Sequence, residues 1–67
     1  MNKLREKRIE KGLTLMQVAS QVRTDVGNLS RIERGQQFPS PPLAVRLSRV
    51  YGMALEDVFS VTDQQAA

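Results

Sequence analysis

Residues 14–35, TLMQVASQVRTDVGNLSRIERG, constrain the fold more than any other part of the chain. They divide into two short amphipathic segments, LMQVASQV and DVGNLSRIER, with a break near Arg23. A threonine heads each segment, and a threonine hydroxyl can accept a backbone N–H from the first helical turn. Thr14 and Thr24 therefore read as N-caps, and Gln17 stands at the capping-box spacing from Thr14. Gly35 falls where the second segment should stop, since the residue just past a helix end commonly takes a left-handed conformation. The expectation is two helices with a tight joint.

On a helical wheel of about 100° per residue the second segment has two distinct faces. Val26, Leu29, Ile32 and Glu33 share one, an apolar face interrupted by a single acid. Gly27, Ser30, Arg31 and Arg34 share the other, which carries cations, a glycine and nothing bulky and apolar. Solvent alone would account for such a face, so its meaning depends on the rest of the chain.

Residues 2–11 are good helix formers with no breaker before Gly12. Leu4 and Ile9 mark the buried side of this helix, and Arg8 falls angularly between them. A cation on a core-facing stripe needs a partner, because an unpaired buried charge is very costly. Glu33, the one acid on the apolar face of the third helix, is the expected partner, so Arg8 and Glu33 form a structural ion pair. After Gly35 the loop QQFPSPP leads to Ser40 and Pro41, an N-cap followed by a first helical residue. A fourth helix then runs to about Tyr51, with Leu43, Leu47 and Val50 or Tyr51 inward, and stops at Gly52. A fifth, at about 55–61, offers Leu55, Val58 and Phe59 to the core. One all-α domain over 1–61, with a frayed tail at 62–67, is the resulting organisation.

Composition narrows the chemistry. The chain has 67 residues, enough for one small core, and no cysteine or histidine. Disulfides, thiolate metal sites and the usual proton-transfer residue are thereby excluded, and no metal or cofactor is expected. No phosphate-cradling glycine loop, no nucleophile with its base and no carboxylate cluster at ligand spacing is present, so an enzyme is not expected. No apolar run approaches the roughly 20 residues of a membrane span and no signal peptide is visible, which places the protein in the cytoplasm. The net charge of +3 is uneven: residues 1–34 carry +4 and residues 35–67 carry −1. A basic N-terminal half suits a polyanion such as DNA.

The order Gly12-Leu13-Thr14, Val18-Ala19, then Leu29-Ser30-Arg31-Ile32-Glu33-Arg34-Gly35 resembles the helix-turn-helix of phage repressor and Cro proteins, the XRE family. Leu43, Leu47, Tyr51-Gly52, Leu55 and Val58-Phe59 continue the likeness, which spans about residues 4–59. The resemblance implies a compact, five-helix, lambda-repressor-like DNA-binding domain whose third helix, about 24–34, enters the major groove. It also supports the Arg8–Glu33 pairing. Two positions depart from the family pattern: Arg23 stands where a glycine is usual, and Leu15 where a glutamine is frequent.

By the resemblance, Val26, Gly27, Asn28 and Arg31 meet base edges, and periodicity independently turns Gly27 and Arg31 outward. Arg31 is the chief expected reader, because a guanidinium can bond both O6 and N7 of guanine. Phosphate contacts are expected from Thr14, the backbone N–H groups of Leu15 and Met16, Arg23, Gln36 and Gln37. A domain of this size reads one half-site, so a homodimer on a palindromic operator is expected, with Tyr51, Met53, Val58 and Val61 as its contact. The reading is a transcriptional repressor or regulator; a different class, an antitoxin-like or coactivator-like protein-interaction adaptor, would use the same fold.

Overall fold

The computed structural model describes residues 3–59 and is all-α. Four helices, α1 (Lys3–Glu10), α2 (Leu15–Val22), α3 (Val26–Glu33) and α4 (Pro41–Tyr51), precede a helical segment at 55–59, α5. The tail at 62–67 and Val61 lie outside the described residues.

Four helix ends close in one way. A residue with positive φ follows each helix, and the next N–H donates back to a carbonyl five residues earlier. Gly12 (φ 70°) turns Leu13 onto Arg8 O at 3.0 Å, and Gly35 (φ 75°) turns Gln36 onto Arg31 O at 2.9 Å. Gly52 (φ 65°) turns Met53 onto Ser48 O at 3.0 Å. The fourth end uses Arg23 (φ 60°), with Thr24 donating to Ala19 O at 2.9 Å. A left-handed residue satisfies carbonyls that the helix leaves orphaned. Three glycines adopt it without a Cβ clash, whereas Arg23 accepts a cost of about 1–2 kcal/mol.

The helix starts are equally specific. Thr14 and Gln17 form a reciprocal capping box: Gln17 N–H donates to Thr14 Oγ1 at 3.1 Å, and Thr14 N–H to Gln17 Oε1 at 2.8 Å. The cap of α3 is Asp25 and not Thr24, a correction to the sequence reading; Asn28 N–H donates to Asp25 Oδ2 at 2.9 Å. Arg23 in the left-handed region leaves both Thr24 and Asp25 outside the helix, and the acid then meets the positive end of the dipole. Ser40 caps α4 by backbone position, with no side-chain hydrogen bond, and Pro41 opens the helix.

The core draws on every helix: Leu4, Val18, Ala19, Val22, Leu29, Ile32, Leu43, Ala44, Leu47, Tyr51 and Val58. Ala19 is small where α2 meets α3, which lets the two helices cross closely. Arg46 Nη1 donates to Val22 O at 3.5 Å and ties α4 to the end of α2. Two apolar residues assigned to the core by periodicity stay exposed. Ile9 (55% exposed) lies five residues beyond Leu4, about 140° around the helix, so Leu4 and Arg8 form the inward stripe. Leu55 (43% exposed) opens α5 at the core margin, and Val58, one turn on, takes the interior position.

Arg8 and Glu33 join α1 to α3. Arg8 Nε donates to Glu33 Oε2 at 2.8 Å and Nη2 to Oε1 at 3.2 Å, a forked contact. The Glu33 side chain is 4% exposed and that of Arg8 12%. Arg8 Nη1 also donates to Leu13 O at 3.0 Å, so the same guanidinium fixes the turn into α2. The hydrogen bond that Arg8 donates to Glu33 raises the Arg8 pKa above its ordinary value against the opposing effect of burial. Tyr51 brings its phenol into the same interior, where its Oη is buried with no hydrogen-bond partner among the described residues. Burial, then the Glu33 charge, pushes its pKa well above the ordinary 10.

Candidate nucleic-acid interface

The joint between α2 and α3 decides what the outer face presents. Because Leu29, Ile32 and Glu33 are buried, α3 can turn only its opposite side outward, and Gly27, Arg31 and Arg34 lie exposed along it. Val26, in the first turn, is 39% exposed and stands beside them instead of completing the core. Its position just past the cap places it beyond the interior.

Arg31 is held in place. Its Nε donates to Gln37 Oε1 at 3.1 Å. Gln37 Nε2 donates in turn to Asn28 Oδ1, and Asn28 Nδ2 donates to Thr24 Oγ1 at 2.8 Å. A Cβ added to Gly27 would lie 3.5 Å from Arg31 Nη1 and 3.1 Å from Asp25 Oδ2. The missing Cβ therefore gives room chiefly to the Asp25 carboxylate, while the Arg31 guanidinium lies back along the helix at ordinary contact distance. Asn28 is half-buried with both ends of its carboxamide engaged, which makes it a brace more than a free reader.

The surrounding groups are polar or cationic. Thr14, Met16 and Gln17 at the start of α2 are exposed, Leu15 is half-buried, and Arg23 is exposed at the joint. Gln36 is exposed after α3. An open groove of about 250 Å³ between α1, the start of α2 and α3 is lined by Arg5, Arg8, Leu15, Ser30, Glu33 and Arg34. Glu33 already faces Arg8, so the groove is cationic on balance. Sequence reasoning missed Arg5, Arg34, Gln17 and Asp25 as members of this surface. Arg34 was the legible one, since the wheel placed it on the Arg31 face. Among the described residues no cluster of acids could hold a metal, and no helix is long and apolar enough to cross a membrane.

Two short helices in a tight joint, with the second turned outward, are the geometry of a helix-turn-helix. The sequence model of a helix-turn-helix domain family matches residues 2–59. The chain belongs to that family. No curated protein and no solved structure matches it. Helix-turn-helix domains bind DNA by laying the second helix of the pair in the major groove while the first crosses the backbone. In this chain those helices are α3 and α2.

The dimer contact expected from the sequence needs correction. Tyr51 (2% exposed) and Val58 are interior residues of the monomer, so neither can face a second copy. Periodicity in α4 and α5 could not separate an apolar residue facing the core from one facing a partner. Met53 is half-buried against the core, and Leu55 is the large apolar residue exposed nearby.

Proposed function

We propose that this helix-turn-helix domain is a sequence-specific transcriptional regulator of the phage-repressor and Cro type, acting as a repressor in the cytoplasm. The observation that carries this reading is the outer face of α3: an exposed, positively charged Arg31, held by a neutral side chain, beside an exposed Gly27 that adds no side chain to that face. Arg31 reads guanine through its Nη groups. Val26 offers an apolar contact to a thymine methyl, and Gly27 admits close approach of the DNA. Thr14, the N–H groups of Leu15 and Met16, and Arg23 contact phosphates from α2 and the joint. Gln36 adds a contact beyond α3. Arg34, on the same face, adds a cation toward the backbone.

The proposed assembly is a homodimer on a palindromic operator, with its two α3 helices about 34 Å apart. Met53 and Leu55 supply the apolar contact in place of Tyr51 and Val58. Selection of bound sites from a random duplex pool tests the reading. An enriched inverted repeat, with affinity falling steeply as salt rises, is the expected result. Failure to enrich any sequence, with little binding at either of two salt concentrations, would favour the adaptor. Met16 (72% exposed) and Phe38 (52% exposed) are the groups such an adaptor would use.

A further inference from the structure

We infer that Gln37 is a positioning residue for base reading: it fixes the Arg31 guanidinium for guanine and does not itself hold a phosphate. The inference rests on the proposal that α3 reads DNA. Gln37 lies in the loop beyond α3 and is half-buried, with both ends of its carboxamide on side chains of the reading helix. Its Oε1 takes the Arg31 Nε proton at 3.1 Å, and its Nε2 donates to Asn28. Asn28 is anchored twice more, through Nδ2 to Thr24 Oγ1 at 2.8 Å and through its backbone N–H to Asp25 Oδ2 at 2.9 Å. A chain of side chains thus runs from the residue before the α3 cap, along the helix, to the loop after it.

The consequence for Arg31 is chemical. With Nε occupied, the edge left for a ligand is the Nη1–Nη2 pair, and Nη1 lies beside Gly27, 3.5 Å from where a Cβ on that residue would stand. A guanidinium edge of that kind matches O6 and N7 of guanine. A free arginine loses rotamer freedom when it docks, whereas one already held loses less. The partner's chemistry matters as much as its position. A carboxylate at residue 37 would hold Arg31 and also neutralise it, while a carboxamide holds it and leaves the full positive charge for DNA.

The test uses wild type, Gln37→Ala and Gln37→Glu on the selected site, on that site with the Arg31 base pair changed, and on random duplex, at two salt concentrations. Gln37→Ala should lose discrimination at that one base pair by on the order of tenfold, about what one hydrogen bond to a charged group is worth. Its random-DNA affinity and salt slope should match wild type. Gln37→Glu keeps an acceptor for Nε, so it should retain more discrimination than Gln37→Ala although its affinity is lower on every duplex. Equal losses for Gln37→Ala on all duplexes, with a salt slope shallower by about one, would make Gln37 a phosphate contact and overturn the inference. A DNA-free arm follows the Arg31 Nε–H resonance by NMR. It should move and become more mobile in Gln37→Ala, and an unchanged resonance would overturn the inference whatever the DNA shows. If wild type itself fails to distinguish the selected site from random duplex, the DNA reading fails first and the positioning role in base reading falls with it.

Discussion

Two arginines in this molecule are each held by a side chain distant in sequence, and the two regions use the contact for opposite ends. Arg8 points inward and meets a carboxylate, Glu33, at 2.8 Å, so its charge is balanced where little water reaches it. Arg31 points outward and meets a carboxamide, Gln37, at 3.1 Å, so its geometry is fixed while its charge remains. The inner contact spans α1 and α3 and sets the orientation of α3. The outer one spans α3 and its following loop and sets the reach of a single side chain. Holding an arginine serves the fold when the partner is charged and buried; a neutral, half-buried partner leaves the charge in place, as the proposed recognition requires.

The inner region should break hardest. Glu33→Ala strands the Arg8 charge in a nearly closed site and should cost about 3–5 kcal/mol, most of the stability of so small a domain. A thermal melt within a few degrees of wild type would contradict this. Replacing both partners together by apolar residues of similar volume should cost much less than either single change. Next in size is the cap of α3, where Asp25→Ala should cost about 1 kcal/mol by chemical denaturation. Thr24→Ala should cost less, because Thr24 serves the Asn28 side chain and not the helix start. An equal or larger loss at Thr24 would reverse that assignment.

The joint provides a smaller and two-sided effect. Arg23→Gly removes a Cβ from the left-handed region and should stabilise the domain by up to about 1 kcal/mol, part of the gain being offset by greater freedom of the unfolded chain. The same change should weaken binding equally on all duplexes if, as proposed, Arg23 contacts a phosphate. Smallest is Tyr51→Phe. The buried hydroxyl has no partner among the described residues, so its removal should leave stability unchanged or raise it by up to about 1 kcal/mol at neutral pH. The folded phenol keeps its proton at pH values where the unfolded one has lost it. Wild-type stability should therefore be fully present below about pH 10 and fall above it, and the Phe variant should lose that part of the alkaline sensitivity. Denaturation series at pH 7 and above pH 10 check both halves.

Much of the inner region was legible in the sequence, and much of the outer one was not. Arg8 on an otherwise apolar stripe and Glu33 as the single acid facing it define each other, because helical periodicity fixes both directions. The five-helix frame and its glycine closures were legible for the same reason. The misplacements fall at element ends, where periodicity has too few residues to act on. Ile9 and Leu55 lie in terminal turns, and the α3 cap moved from Thr24 to Asp25 because both residue types cap well. Gln37, expected at a phosphate, lies in a loop, where no period fixes the direction of a side chain. Its contact with Arg31 depends on the path of the chain after Gly35, which only the folded structure supplies.

The central claim is that Arg31 reads a base. Its direct test compares wild type with Arg31→Ala on the selected duplex, on the same duplex with the proposed guanine replaced, and on random DNA. The account predicts a loss of about 1–3 kcal/mol for Arg31→Ala on the selected duplex, indifference of the variant to the replaced base pair, and a far smaller loss on random DNA. Equal losses on all three duplexes, accompanied by a shallower salt slope, would place Arg31 on a phosphate and contradict the account.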